Sequence, residues 1–456
     1  MDFSQANTGL WGFMVQMGIL CATLLVANLL VRKLPLIRKT LLPTAVLAGL
    51  LLLILKSIGL LNVRTDVLEM ITYHGIAIGF IAMSMRVTAK ADSGKSATGA
   101  KSGALIVSCY VLQGIMGLLI TLLLSYTFMP GLFQAAGILL PMGYGQGPGQ
   151  ANNVGSTYEA LGFLGGRSFG LSIAAAGFIS ACVVGVIYLN LLNRRGLLRR
   201  GDGARPSGSV TIDTFQDADE IPISESVDRL SVNLGLVMVV YLMTYLTIWG
   251  LSSLAGLLGS GIGGTVSTLL WGFNFIVGSM LALALRALLK SLRKAGIMHR
   301  QYQNNYLLSR ISGLAFDLMI VAGIASIEIS DLQGLWAPFL LMSVAGAIGT
   351  LIYLKWICKK LYPGYYYEGL LSMYGMMTGT ISSGILPLRE IDPDFATPAA
   401  NNLIAGSSFA VLFGAPMLAL IGIAPGSAGM TWLTLGLLAV YLVPLVLFML
   451  RFRKGK

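Results

Sequence analysis

The sequence predicts an all-α membrane protein: two inverted five-span repeats, each with a re-entrant hairpin, plus one extra C-terminal span, about eleven transmembrane helices in all. Three observations predict it. Of the 456 residues, 55% are hydrophobic and only 11% are charged, against about 25% charged in a soluble domain. Eleven apolar runs reach the roughly 20 residues needed to cross a hydrocarbon layer of about 30 Å. Glycines recur at a fixed spacing that relates one half of the chain to the other, and the loop charge is asymmetric.

The runs lie at about 10–31, 41–60, 67–86, 102–126, 168–191, 233–256, 263–285, 306–328, 334–356, 403–423 and 430–450. Mean hydropathy over the whole chain is +0.79. The first ten residues carry Asp2 and neither Lys nor Arg. That is a poor start for a cleaved signal, so the first run is expected to stay as a span. Two further apolar stretches, 133–163 and 366–390, are interrupted by glycines halfway. A break at membrane depth is tolerated only where protein or a water-filled cavity covers the backbone.

Loop charge sets the orientation. With the N-terminus outside and both broken stretches returning to the side they entered from, all but three of the 31 basic residues fall inside. The exceptions are Lys56, Arg64 and Arg167. Cytoplasmic loops collect Lys and Arg, so the expected location is the inner (plasma) membrane, with the C-terminus cytoplasmic. The net charge of +12 then faces anionic lipid, and no nucleic acid is needed to explain it.

The domain boundaries follow. Residues 1–192 form the first repeat and 233–428 the second. Residues 193–232 form a cytoplasmic linker, basic at first and acidic from Asp213 to Asp228. Residues 429–456 add a span and a basic tail. An offset of 232 residues relates Gly114 and Gly117 to Gly346 and Gly349, and Gly143 and Gly147 to Gly375 and Gly379. A weaker match pairs His74-Gly75-Ile76-Ala77 with Ser312-Gly313-Leu314-Ala315. Each repeat has an odd number of spans, so the second enters the membrane upside down. Inverted repeats with broken helices are the architecture of secondary transporters, which place the solute near the midplane.

The chemistry concentrates at the two breaks. The first reads Gly143-Tyr144-Gly145-Gln146-Gly147-Pro148-Gly149-Gln150-Ala151-Asn152-Asn153. Its glycines and proline cannot continue a helix. Freed N–H groups at the start of the next half-helix suit a carboxylate, and freed carbonyls suit Na⁺. Gln146, Gly147, Gln150, Asn152 and Asn153 are the substrate candidates here, and Gly145 and Gly149 the sodium candidates. The alternative is a close helix-packing turn. The second break, Gly375 to Gly384, offers hydroxyls instead. Thr378, Gly379 and Thr380 are assigned to substrate, and Ser382 and Ser383 to Na⁺, for which oxygen ligands are appropriate. Here the alternative is Ser/Thr back-bonding to a helical turn. Farther on, Thr397-Pro398 reads as a helix start, N-cap then first position. That puts Asn401 on the substrate side and Asn402 on the sodium side, unless the feature is a plain cap.

At these residues the sequence resembles the bacterial sodium/glutamate symporter family. The string Gly143 to Ala151, GYGQGPGQA, is the specific element, and the span pattern agrees across most of the chain. The resemblance implies Na⁺-coupled uptake of L-glutamate by an elevator-type motion, and a homodimer in lipid. It implies Na⁺ as coupling ion and no further cofactor. The second hairpin departs from the family pattern, as do Leu388 to Pro393 and the eleventh span, which points to a divergent branch. Na⁺-driven transport of a small carboxylate is therefore the firmer expectation, and glutamate the narrower one.

Asp317 lies at the centre of a span, where an ionised group is costly and a functional candidate; it is assigned to Na⁺ or to pairing with Arg310. Arg389 is the cation best placed for a substrate carboxylate, or else an edge arginine paired with Glu390, Asp392 or Asp394. His74, in mid-span, reads as a packed neutral imidazole, with a proton relay as the alternative. The cysteines Cys21, Cys109, Cys182 and Cys358 lack ligand spacing. With two histidines in the chain, no enzyme constellation can be assembled. A carrier of a different substrate (dicarboxylate, hydroxycarboxylate or another amino acid), with proton coupling as one form of it, and a channel are the rivals left.

Overall fold

A computed structural model describes residues 4, 8–86, 93–194, 223–257, 260–298, 302–392 and 397–451. The linker from 195 to 222, the tail from 452, and His299, Arg300, Pro393 and Asp394 lie outside the described residues. All regular structure among them is helical.

In chain order the helices are α1 Thr8–Lys33, α2 Pro35–Arg38, α3 Thr44–Ser57, α4 Thr65–Met85, α5 Ser93–Tyr126, α6 Leu139–Tyr144, α7 Pro148–Ala160 and α8 Gly166–Arg194. Then follow α9 Ile223–Gly256, α10 Ser260–Gly272, α11 Asn274–Lys294, α12 Asn305–Ala325, α13 Trp336–Leu361, α14 Tyr366–Met377, α15 Ile381–Ile391, α16 Ala399–Ile423 and α17 Ala428–Arg451. Among the described residues, nine helices are long and apolar enough to cross a bilayer. The chain is thus an all-α, multi-pass membrane protein.

Two of the expected runs differ in form. The run at 41–60 contains α3, a helix of 14 residues, about 21 Å long and shorter than a bilayer core. The run expected as one helix over 263–285 is two, because Phe273 leaves helical geometry with φ −106° and ψ 31°. The crossing helix there is Asn274–Lys294. The expected start at Thr397 also shifts. Pro398 takes the cap position, while Thr397 turns back and gives both its N–H and its hydroxyl to Asp392 Oδ2, at 2.9 and 2.5 Å.

The chain forms two compact units, each drawing on both halves of the sequence. One comprises Met1–Val63, Ala91–Ser209 and Gly323–Lys456; the other comprises Arg64–Lys90 and Val210–Ala322. In the first, α5 packs on α13, α16 and α17, α7 on α8, and α14 on α15. Lipid gives helices little hydrophobic reason to associate, so close backbone packing through small residues does the work. A Cβ added at Gly155 of α7 would lie 2.7 Å from the Gly166 carbonyl oxygen of α8, and one at Gly375 of α14 would run into the Ser383 carbonyl of α15. Lys56 Nζ, at the end of α3, reaches Glu328 Oε1 at 2.6 Å. In the second unit, α4 packs on α9 and α11, around a cluster that includes Ile81, Val240, Ala282 and Leu308.

Candidate functional site

The two interrupted segments are pairs of half-helices whose turns touch. In the first, Gly145 and Gln146 both donate their N–H groups to the Pro141 carbonyl, at 3.0 and 3.2 Å. The α6 helix tightens and stops there. Gly147 then adopts φ +87° and ψ −176°, a region open essentially to glycine alone. Pro148 opens α7, where a missing N–H costs nothing because first-turn N–H groups have no helical acceptor. In the second segment, α14 ends at Met377 and α15 starts at Ile381, with Thr380 extended at φ −139°. A Cβ on Gly147 would lie 3.5 Å from Thr380 Cγ2 and 3.7 Å from the Gly379 carbonyl oxygen.

The junction gathers polar backbone. The helices α7 and α15 begin there, and neither has a side chain capping its first N–H groups. Those groups carry the positive end of each helix dipole. The helices α6 and α14 end there and leave carbonyls.

The side chains complete the picture. Gln150, Asn152, Asn153 and Ser383 are between 2 and 4% exposed. Yet Gln150 Oε1, Asn152 Oδ1, Asn153 Nδ2, Thr380 Oγ1 and Ser383 Oγ have no hydrogen-bonding partner within the protein. A buried polar group left unpaired costs on the order of 1–3 kcal/mol. Gln150, Thr380 and Ser383 stand where α7 and α15 begin, and Asn152 and Asn153 follow one turn farther along α7. The one contact among the amides is Asn152 Nδ2 to Asn153 Oδ1 at 3.4 Å. All of these groups are neutral, mixing N–H and O–H donors with oxygen acceptors.

The other candidates divide. Gly145 and Gly149 belong to the first turn, and a Cβ at Gly145 would strike the Tyr110 ring. Thr378 is fully buried, and its hydroxyl back-bonds to the Tyr374 carbonyl at 2.8 Å, so that proton is taken by the helix. Ser382 is exposed. Arg389 stands eight residues into α15, about 12 Å along the helix from the turn. It is exposed and lines a cavity of about 60 Å³ with Arg38, Leu42 and Glu390. Asn402 donates to Tyr365 Oη at 2.7 Å. Tyr365 precedes the first residue of α14, so the partner that holds Asn402 belongs to the end of α14 away from the turn. Asn401 is exposed. Asp317 is exposed on α12, in the other unit; Arg310 lies over the Tyr306 ring at 4.8 Å instead of pairing with it.

Gln113 also belongs to the junction. Gln113, fully buried on α5, donates Nε2 to the Met377 carbonyl at 2.8 Å and to Thr350 Oγ1 at 2.9 Å. Its Oε1 is unpartnered and would lie 3.0 Å from a Cβ at Gly145. A lone glutamine inside a 34-residue helix was the only signal for it. Among the described residues, no group of three or more His, Cys, Asp or Glu side chains is placed to hold a metal ion; any cation at the junction would rely on neutral oxygens. No protein-family model matches the chain, and no curated protein matches it significantly.

Proposed function

We propose that the protein is a Na⁺-coupled secondary transporter that takes up L-glutamate or a similar small carboxylate by an elevator-type alternating-access mechanism. The observation that carries this reading is the junction of the two turns, with buried and unpartnered polar atoms on Gln150, Thr380 and Ser383 where two helices begin, and on Asn152 and Asn153 one turn farther along α7. A solute carboxylate accepts from the first-turn N–H groups of α7 and α15 and from Asn153 Nδ2, and a solute ammonium donates to Gln150 Oε1 and Asn152 Oδ1. Na⁺ takes carbonyls at the ends of α6 and α14 together with hydroxyl oxygens of Thr380 and Ser383. Each ligand stabilises the turn the other needs, which is a reciprocal coupling free energy. The loaded domain then moves against a fixed scaffold.

The finer architecture belongs to the same proposal. The two inverted five-span repeats with re-entrant hairpins and the extra C-terminal span are supported by a reciprocal pattern: α16 packs on α5, and α8 packs on α13. An N-terminus outside, a C-terminus in the cytoplasm, an inner-membrane location and a homodimer complete the reading.

A second reading concerns the solute alone. The exposure of Arg389 and its distance along α15 leave only neutral side chains at the turns, which favours a carrier of an amino acid with a single carboxylate. Reconstitution into proteoliposomes tests both readings. Radiolabelled L-glutamate uptake, with an excess of neutral amino acids or dicarboxylates as competitors, is measured with and without an inward Na⁺ gradient. Gradient-dependent, saturable uptake is expected; uptake indifferent to Na⁺ overturns the coupling.

A further inference from the structure

The second unit contains a polar chain that draws on none of the junction residues. Tyr241 of α9 stands between two partners. Its Oη lies 2.5 Å from His74 Nδ1 of α4, and Asn274 Nδ2 donates to it at 3.4 Å. Asn274 is the first residue of α11, at the break that divides the expected span. It is 2% exposed, and its Oδ1 has no hydrogen-bonding partner. Nearby, Tyr73 donates its hydroxyl to the Trp271 carbonyl at 2.7 Å. The His74 ring meets both tyrosine rings edge-on, with centroids 5.1 and 5.8 Å away.

A tyrosine hydroxyl has one proton to give and an oxygen that can accept twice. Among the described residues the one acceptor placed to take the Tyr241 proton is His74 Nδ1, so with Asn274 donating into the same oxygen the neutral arrangement sends the proton there. His74 is then a neutral imidazole with its own proton on Nε2. This arrangement orphans Asn274 Oδ1 inside the unit. Now add one proton at His74 Nδ1. The imidazolium must donate to the Tyr241 oxygen, so the tyrosine hydroxyl must find another acceptor. Reversal of the Asn274 amide presents one, its formerly unused Oδ1. The chain thus has two hydrogen-bonded arrangements that differ by one proton, and the protonated one satisfies the buried oxygen that the neutral one leaves bare.

We propose that His74, Tyr241 and Asn274 form a proton-binding relay in the second unit, read out by reversal of the Asn274 side chain. The proton is taken up at His74 Nδ1; no covalent bond among heavy atoms changes, and the site gains one positive charge. The titratable groups on the elements packed here are Tyr73 on α4 itself, Tyr241 and Tyr245 on α9, and Asp317 on α12, a helix that meets α4 through Ala315 and Met319 at Gly75. The helices α10 and α11 contribute the Trp271 carbonyl and the Asn274 amide at this level. The inference does not depend on what the junction of the other unit binds.

Only two histidines occur in the chain, which makes the test direct. Full-length His299→Gln protein, labelled with ¹⁵N at histidine and asparagine side chains, is titrated in nanodiscs over about pH 5–8, the range in which histidine changes charge. At the basic end the His74 Nδ1 resonance is expected at an acceptor-type shift with the proton on Nε2. On acidification it moves to the imidazolium position, and the Asn274 amide resonances, assigned by their loss in Asn274→Asp, move with the same midpoint. In Tyr241→Phe the Nε2 tautomer preference is lost and the Asn274 resonances no longer follow the titration. Asn274 resonances that stay fixed while His74 titrates in the parent overturn the relay, and so does a His74 that never protonates over this range. The parent titration reads the relay even if a variant fails to fold.

Discussion

Gln113 donates its side-chain amide to the carbonyl of Met377, 2.8 Å away, and these two residues stand 264 positions apart in the chain. The bond occupies a carbonyl in the last turn of α14 that the helix itself cannot satisfy. The other end of the same side chain faces Gly145, at the close of α6. One amide therefore lies against both interrupted segments.

Replacing Gln113 by Leu removes that bond and the one to Thr350. The Met377 carbonyl stays buried without its partner, at a cost of about 1–3 kcal/mol. A lower thermal midpoint is expected in detergent, together with slower uptake. An unchanged midpoint would mean the bond does not hold the second turn.

The unpartnered atoms make the opposite prediction. Thr380→Val and Ser383→Ala delete polar groups that lose no hydrogen bond, so stability without solute should hold or rise slightly. Uptake, and any stabilisation by added Na⁺ and solute, should fall. Gln150→Ala should lose uptake while folding normally. Thr378→Val, whose hydroxyl back-bonds within α14, should leave uptake nearly intact. If Thr378→Val is the damaging change and the other three are silent, the assignment of the junction fails.

Glycines at equivalent offsets should fail for different reasons. Gly147→Ala forces a Cβ onto φ +87°, a strain of about 1–3 kcal/mol that no neighbouring truncation relieves. Gly379 has no such φ, but a Cβ there would lie 2.9 Å from the Phe178 ring and 2.7 Å from Ser383 Oγ. Gly379→Ala should therefore be partly rescued by Phe178→Leu, and Gly147→Ala should not. Thermal unfolding of the two double variants checks this.

Lys56 and Glu328 form a half-buried ion pair, with side-chain exposures of 14% and 37%. Lys56→Met should destabilise by about 1 kcal/mol, because Glu328 loses its counter-charge. Partial burial raises this above most exposed pairs, yet solvent still screens it. Adding Glu328→Gln should recover much of the loss. A double variant no better than Lys56→Met would show that packing of the lysine stem matters more.

Some of this was written locally in the sequence. A break at Gly145-Gln146-Gly147-Pro148 needs no distant partner, since glycine and proline lower the helix over a few residues wherever they stand. The same holds for Gly379 between two apolar arms, and for the long apolar runs that make the chain a membrane protein. Tertiary packing decided which polar atoms are spoken for. Thr378 and Thr380 are two residues apart and chemically identical, yet one hydroxyl bonds within its helix and the other has no partner. Asn402 reads as a ligand until Tyr365 is seen to hold it. Gln113 sits in an apolar helix with nothing in its neighbourhood to mark it. The split at Phe273 and the grouping of α4 with α9 and α11 likewise depend on which faces meet. The physical reason is range: backbone conformation answers to neighbours a few residues away, whereas the fate of a buried donor or acceptor is set by groups hundreds of residues distant.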